Sequence, residues 1–323
     1  MLSAHALGLL ACPRDQQPLI PSGSSLSCPQ GHRYLTIEGI PVLLRDDVPQ
    51  THWAALLALD VARSGALPDD WRAAAHVDGV HPFVQESIGA TGGNLYRSLI
   101  GRLPTYPIPD LPLSEGNGRT LVDVGCNWGR WTIAAARRGY RPIGVDPSLQ
   151  AVIAARAVCE QLGIAADFVV GDARHLPLQS ASVDAAFSYS VLQHFSKPDA
   201  RRAAADISRM LVPGGIALVQ MPNVYGLRSM IQQARRRFRE PEKFEVRYWS
   251  PSELRQTFDS AIGPTHLSAD GFFSLNAQPA EAALLPTHLR ALVHTSAALA
   301  RIANRVPPLV NAADSVWVRS AKS

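Results

Sequence analysis

Lysine is nearly missing from this chain: of 31 basic side chains only Lys197, Lys243 and Lys322 are ammonium groups. The rest are guanidinium forks, suited to bidentate contacts with phosphate or carboxylate, although a codon bias toward arginine gives the same count. Charge of either sign is also sparse, at 18% of residues against a typical ~25%, while 46% are apolar. A chain so composed is not disordered in the main. Cysteine is limited to Cys12, Cys28, Cys126 and Cys159 in 323 residues, which excludes a disulfide scaffold and points to a reducing compartment. Long apolar runs are missing too. The Ala/Leu-rich stretch 283–303 is interrupted by Pro286, His288, Arg290, His294 and Arg301, so it falls short of the ~20 apolar residues of a membrane span. The opening MLSAHALGLLACPRD has no early positive charge and too short an apolar run for a signal peptide, so the expectation is a cytoplasmic protein. Internal repeats and low-complexity tails are likewise lacking. The net charge of +4, with a pI near 9.0, permits anionic ligands without requiring them.

What is present suggests about two domains, at roughly 100–200 residues each. Residues 1–46 read as a small β-rich unit, with short apolar runs such as Ile40-Pro41-Val42-Leu43-Leu44 after the turn residues 21–25. Residues 47–118 read as a mostly helical segment, with helical spacing over 51–66, ending in a linker marked by Pro104, Pro107, Pro109 and Pro112. From Arg119 to 323 short strands alternate with helices: TLVDVG, GRWTIAAARRG, RPIGVD, SLQAVIAARAVCEQLG, ADFVVGD, then SVDAAFSYS, DARRAAADISRML and GGIALVQM. Strands apolar on both faces within a βαβ rhythm predict a parallel sheet covered by helices on both faces, an α/β class. After Pro222 comes an irregular, Arg-rich stretch to about Ser250. A helix then opens at Ser250-Pro251-Ser252-Glu253, and DSVWVRSA alternates like a last half-exposed strand.

The richest segment is Leu121-Val-Asp-Val-Gly-Cys-Asn-Trp-Gly-Arg-Trp131, a strand that ends in Gly125-x3-Gly129 and turns directly into a helix. Such a turn at the carboxyl end of a parallel strand lets a ligand approach the backbone. A dinucleotide site wants G-x-G-x-x-G here, and Asn127 and Trp128 fit a pyrophosphate poorly. The next strand ends in Asp146, placed to accept hydrogen bonds from vicinal ribose hydroxyls, and the third in Asp172. Singly, each is equally well a helix cap or a loop residue; three consecutive strands ending D-V-G, G-V-D and V-G-D are not so easily dismissed.

With these motifs, residues 119–323 resemble the class I S-adenosylmethionine-dependent methyltransferases. The family's glycine motif maps onto Asp123, Gly125 and Gly129, with Cys126 and Asn127 inside the loop. Its ribose-binding acid maps onto Asp146 and its adenine-contacting acid onto Asp172, followed by Ala173. The segment after the fourth strand maps onto Ser188-Tyr189-Ser190-Val191-Leu192-Gln193-His194-Phe195, and the L-x-P-G-G turn onto Leu211-Val-Pro213-Gly214-Gly215. Asn127 stands where the family more often has a glycine; asparagine tolerates unusual backbone angles, so the loop shape should survive. The resemblance implies a Rossmann-like sheet of seven strands, the last antiparallel, and S-adenosylmethionine as cofactor, with Tyr96-Arg97 closing over its methionine end.

Near the N-terminus, Cys12, Asp15, Cys28 and His32 form a C-x2-D-x12-C-x3-H pattern of zinc-ligating types, and a structural metal would staple a unit this small. A nucleic-acid-binding finger carries its last ligands on a helix, whereas Cys28 and His32 lie in Gly/Pro-punctuated, strand-like sequence. The segment resembles the Trm112-like zinc ribbon, including Tyr34 and the closing Glu38-Gly39-Ile40-Pro41-Val42-Leu43-Leu44. A comparable ribbon precedes the methyltransferase domain of ribosomal RNA guanine methyltransferases, with three Cys and one His as ligands. Asp15 stands at the second Cys, so two readings stay open: zinc held by these four residues, or a ribbon that has lost its ion.

Methyl transfer from a sulfonium needs alignment and exclusion of water more than a base. If a base exists, His194 is the first candidate; a histidine simply packed in that loop is the plain alternative. Asn223, Tyr225, Arg228, Arg247 and Tyr248 are candidate acceptor contacts, because by resemblance the loops carrying them border the acceptor pocket. Arg235–Arg239 reads as a solvated helix face or as a site for an anionic acceptor, a phospholipid surface or RNA phosphates. The leading expectation is methylation of O or N on a small molecule, such as a metabolite, sugar or lipid head group, with the stretch around 280–305 as a lid. The alternatives are an rRNA or tRNA base methyltransferase and a non-catalytic S-adenosylmethionine-binding protein that docks a protein partner through its ribbon.

Overall fold

The computed structural model describes residues 2–73, 78–242 and 244–323, so residues 74–77 of the helical segment lie outside it. The chain opens with a short helix, α1 (Ala4–Leu9), and a four-stranded antiparallel sheet in the order β1 (Ile20–Ser22), β2 (Ser25–Ser27), β3 (Arg33–Ile37), β4 (Ile40–Pro41). Helices α2 (Trp53–Ser64), α3 (Asp69–Ala73) and α4 (Pro82–Thr91) follow, then a 3-10 turn over Asn94–Leu99. The rest alternates: β5 (Thr120–Val124), α5 (Arg130–Arg137), β6 (Arg141–Asp146), α6 (Leu149–Gln161), β7 (Asp167–Val170), β8 (Val183–Tyr189), α7 (Lys197–Met210), β9 (Leu211–Pro222), α8 (Leu227–Arg235), α9 (Pro251–Ala261), β10 (Thr265–Gly271), α10 (Thr287–Arg305), β11 (Ser315–Ala321).

The large sheet has seven strands in the order β10-β11-β9-β8-β5-β6-β7, with β11 antiparallel to both neighbours and the pairings among β5–β9 parallel. This is the α/β architecture expected from the alternation of strands and helices. All five residues of β5 are buried, as a strand covered on both faces requires. Strand order reverses at β5, which pairs with β6 on one side and β8 on the other, and such a switch point leaves a crevice at the carboxyl ends of the strands. Ser250 caps α9 as the sequence suggested: its hydroxyl accepts from the Glu253 N–H at 3.2 Å and Glu253 Oε2 accepts from the Ser250 N–H at 2.9 Å.

The small sheet is not a free-standing bead. Leu43 N–H donates to the Val170 carbonyl at 2.8 Å and Val42 bridges Val170 in parallel, so the chain after β4 covers the edge of β7. Leu26, Tyr34 and Leu43 belong to the same apolar core as Val145 and Val169 of the large sheet.

Two differences from the sequence reading stand out. The stretch after Pro222, read as irregular, contains α8; its apolar residues are exposed, so the usual buried stripe is missing. And α10 packs against β10 rather than over the crevice. What fixes the C-terminal insertion is a buried ion pair: Arg130 at the start of α5 is bonded to Glu281, whose Oε2 also accepts from the Tyr96 hydroxyl at 3.1 Å. Burial pushes the Glu281 carboxyl above its usual range even with Arg130 beside it. Removing one member of such a pair strands the other charge, at a cost of about 3–5 kcal/mol. Glu281→Ala is therefore expected to lower the unfolding free energy by about that amount in a urea titration.

Candidate active site

β5 ends in a turn built from left-handed residues: Gly125 at φ 80°, Asn127 at φ 47° and Gly129 at φ 81°. Asn127 thus adopts the unusual angle foreseen for it, and its Oδ1 accepts from the Trp128 N–H at 2.8 Å. A Cβ on Gly125 would lie 2.3 Å from Val191 Cγ2, so the loop after β8 closes down on a position only glycine can fill. Trp128 is fully buried and its indole N–H donates to Thr91 Oγ1 at 3.0 Å, tying the turn to α4.

The turn faces a cleft of about 660 Å³ that runs to α2 and to the loops after β8 and before α9. Of the sequence candidates, Gly125, Cys126, Asn127, Asp146, Asp172, Ala173 and His194 line it. Asp146 sits at the end of β6 with both oxygens engaged, Oδ2 by the Asn127 N–H and Oδ1 by the Ser148 N–H, each at 2.9 Å. Each oxygen still has lone-pair capacity for a hydroxyl donor. Burial pushes this carboxyl up to about 6, against the pull of those two N–H donors.

Asp172 is held differently. Arg174 donates to it from its backbone N–H at 2.8 Å, from Nε at 3.2 and 3.0 Å and from Nη2 at 2.6 Å, and the same guanidinium reaches the Pro49 carbonyl at 2.7 Å. The acid read as an adenine contact is therefore already paired, and Arg174 joins it to the segment before α2. Sequence reading missed Arg174, although an arginine two residues after an acid is a visible signal.

His194 stacks face to face on Phe244 with ring centroids 4.0 Å apart, and its Nδ1 lies 2.8 Å from the Phe244 carbonyl. A carbonyl only accepts, so Nδ1 carries the proton and Nε2 is the acceptor, engaged by the Gln193 side-chain amide at 3.3 Å. Burial lowers this imidazole to about 4. It is neutral at physiological pH and does not hold a second proton there. His52, which caps α2 by accepting from the Ala54 N–H at 3.1 Å, meets the edge of Phe244 at 4.7 Å and is likewise lowered by burial. His52 and Phe244 were not anticipated; nothing in their sequence neighbourhood marks them.

Several candidates lie off the cleft. Asp123 is buried beneath the turn, accepting from the Thr132 hydroxyl at 2.7 Å, and burial raises it to about 7. Ser188 is buried with its hydroxyl on the Val124 carbonyl at 2.9 Å, and Gly129 packs beneath the turn, where a Cβ would lie 3.2 Å from Ala155 Cβ. Tyr96 is wholly buried on Glu281, while Arg97, read together with it, and Asn94 reach the cleft. Asn223 is buried and holds the carbonyls of Asn311 and Ala313 at 2.7 and 2.8 Å. Tyr225 and Arg228 point to solvent. Arg247 donates to the His194 carbonyl at 2.8 Å, bracing the loop from behind, and Tyr248 lies under the Arg236 guanidinium. From the loops read as acceptor walls it is Phe244 and Val246 that face the cleft, and from the insertion Ser274 and Asn276.

The N-terminal quartet does converge. One ligand atom each from Cys12, Asp15, Cys28 and His32 lies within 4.8 Å of the others, with His32 Nδ1 at 3.5 Å from Cys12 Sγ, 3.4 Å from Cys28 Sγ and 2.9 Å from Asp15 Oδ2. A tetrahedral zinc with bonds of about 2.0–2.3 Å sets its ligand atoms roughly 3.3–3.8 Å apart, so the donor chemistry fits a metal ion and the two His32–Cys separations fall in that range, while Asp15 stands at hydrogen-bond distance from His32. Tyr34 places its hydroxyl 3.2 Å from Cys12 Sγ. Cys126 and Cys159 are different: burial raises both thiols, Cys159 to about 12, so neither is a ready nucleophile.

Comparison with known proteins agrees with this geometry. Residues 121–215 match a family model described as a methyltransferase domain. An uncharacterized methyltransferase of Mycobacterium sp. (strain JLS) is 35% identical over 102 residues, 32% of this chain and 38% of that one. A tRNA U34 carboxymethyltransferase of Desulfotalea psychrophila is 30% identical over 122 residues, 37% of this chain and 36% of that one. This chain thus spans well under half the length of these relatives. A chain from a complex containing the Haloferax volcanii Trm112 methyltransferase activator matches at 19% identity with a TM-score of 0.46, covering 80% of this chain and 97% of that one. The match places a methyltransferase domain over residues 121–215, the stretch whose motifs resemble those of the class I S-adenosylmethionine-dependent methyltransferases, and a small antiparallel β-rich unit with a Cys/Asp/His group precedes it.

A carboxylate accepts from a hydroxyl more strongly than the protonated carboxyl does. With Asp146 on the ribose hydroxyls, affinity for S-adenosylmethionine, measured by calorimetry, should be flat above pH 7 and weaken as pH drops through about 6, by no more in all than the loss caused by Asp146→Asn. Asp146→Asn should bind roughly tenfold to a hundredfold more weakly at neutral pH and lose most of that pH dependence.

Proposed function

We propose that the protein transfers a methyl group from S-adenosylmethionine to an oxygen or nitrogen of a small-molecule acceptor. The observation that carries this reading is the single cleft joining the glycine turn to the His52, Phe244 and His194 cluster. Its volume lies within the ~300–1,000 Å³ of small-ligand sites. The cofactor, when bound, brings an already activated methyl group.

This chain's own residues then have three tasks. Asp146 and the backbone of Gly125–Asn127 hold and orient the ribose end. The first turn of α2, Trp53–Ala55, with Phe83 of α4, walls the cleft and limits water at the reacting centre. His194, neutral and with Nε2 free of the proton, accepts a hydrogen bond from the acceptor's O–H or N–H in place of the Gln193 amide that lies 3.3 Å from Nε2, and so points a lone pair of the acceptor at the methyl group. An imidazole lowered to about 4 orients in this way and passes the proton on to solvent.

Methylation of an RNA base is the second reading, supported by the name of the Desulfotalea relative, which acts on tRNA. Two arginines of the 235–239 cluster are occupied within the protein, Arg236 on the Val246 carbonyl at 3.0 Å and Arg239 on Glu245 at 2.7 Å, which leaves less free charge for phosphates near the cleft. A silent docking protein is a third reading, for which the ribbon-like unit is the only support. Incubating the full chain with methyl-labelled cofactor and fractionated extract should put label into a small-molecule fraction. Label confined to RNA would replace this reading by the second, and no transfer with no cofactor binding would end both.

In the same proposal Cys12, Asp15, Cys28 and His32 hold a structural zinc. Protein purified without chelator is expected to contain about one equivalent by elemental analysis, Asp15→Cys to keep it, and Cys28→Ser to lose it together with thermal stability.

A further inference from the structure

Helix α8 is mounted inside out. Its polar side faces the protein: Ser229 is buried with its N–H on Asp314 Oδ1 at 3.0 Å, and Gln233 Nε2 donates to the Val224 carbonyl at 3.0 Å. Its apolar residues, at the i, i+3, i+4 spacing of one helix face, point outward. Leu227, Met230 and Ile231 are 66%, 41% and 39% exposed, and Phe238 just beyond the helix is 65% exposed. A helix on a soluble surface normally carries the reverse arrangement, and grouped exposed apolar side chains mark a contact surface where scattered ones do not.

The end of α10 has the same character. Ile302 in its last turn and Val306 and Leu309 just after it are exposed, and α8 is seated on the segment that follows through Ser229 on Asp314, with Asn223 just before it on Asn311 and Ala313. Charge completes the pattern. From Ile207 to Arg239, and again from Ala282 to Ala313, the sequence holds no Asp or Glu. Arg228, Arg235, Arg237, Arg301 and Arg305 are exposed, and among the described residues none of them makes an ion pair.

The geometry points to an anionic phospholipid surface as the partner of this face, with α8 and the end of α10 lying in the headgroup layer. Leu227, Met230, Ile231 and Val306 sink toward the acyl chains while the surrounding arginines meet lipid phosphates, the arrangement of an interfacial helix. A single-stranded nucleic acid would use successive stacking aromatics with its basic groups; here Tyr225 and Phe238 only flank the stripe, and Leu227, Met230 and Ile231, which form it, have no stacking face. A second copy of the chain would set unpaired arginines against unpaired arginines. No helix among the described residues is long and apolar enough to cross a membrane, so the contact is one of lying on the surface. The inference does not depend on the methyl acceptor or on turnover.

The test is co-sedimentation of the full chain with phosphatidylcholine vesicles, with and without one third phosphatidylglycerol. Binding should require the anionic lipid and weaken with added salt. The double variant Leu227→Ser/Ile231→Ser and the double variant Arg235→Gln/Arg237→Gln should each reduce binding roughly tenfold or more. Both should keep the thermal unfolding midpoint and S-adenosylmethionine affinity of the unaltered protein, since none of the four side chains lines the cleft. Absence of sedimentation with anionic vesicles at low salt overturns the inference. So does binding that both variants retain, or a concentration-dependent dimer abolished by Leu227→Ser/Ile231→Ser in a protein that ignores vesicles.

Discussion

Arg130, bonded directly to Glu281, sets the relative position of three parts of the chain that are distant in sequence. Arg130 begins the helix that follows the glycine turn, Glu281 belongs to the insertion between β10 and α10, and Tyr96, on the same carboxylate, belongs to the segment packed on α4. Two more bonds from Arg130, to the Thr91 and Asn276 carbonyls at 3.2 and 3.3 Å, reach the same two segments. An ion pair of this kind adds little net stability relative to an apolar pair of equal volume. Its effect is positional: Asn94, Arg97, Ser274 and Asn276 face the cleft because the elements carrying them cannot slide past one another.

The parallel sheet was legible in the sequence because its strands are apolar on both faces and end in the same small set of residues. Asp123, Gly125 and Asp146 mark the crevice in the sequence itself, since a strand-to-helix turn at the centre of such a sheet is a local event. Asn127 shows how far that logic reaches, as a left-handed angle could be assigned to it from its position in the motif alone.

The loops beyond the motifs were less legible, for a physical reason. Asn223, Arg247 and Tyr248 have the side chains of substrate contacts, but what they touch is decided by tertiary packing. Asn223 satisfies two carbonyls of the chain before β11, and Arg247 satisfies the carbonyl of His194. Helix α8 was obscured by the same cause, because a helix whose apolar stripe faces outward lacks the periodic burial by which helices are recognised. Asp172 lies between these cases: its position followed from the motif, its pairing with Arg174 did not.

The chain after β4 pairs with the outer edge of β7 through Val42 and Leu43. Their backbone follows directly on the small sheet, whose loops carry the Cys12, Asp15, Cys28 and His32 quartet. An uncovered parallel edge strand is a template for another chain's backbone. Loosening of that quartet would therefore register first in solution behaviour, as molecules adhering edge to edge, while the crevice on the far side of β6 kept its shape.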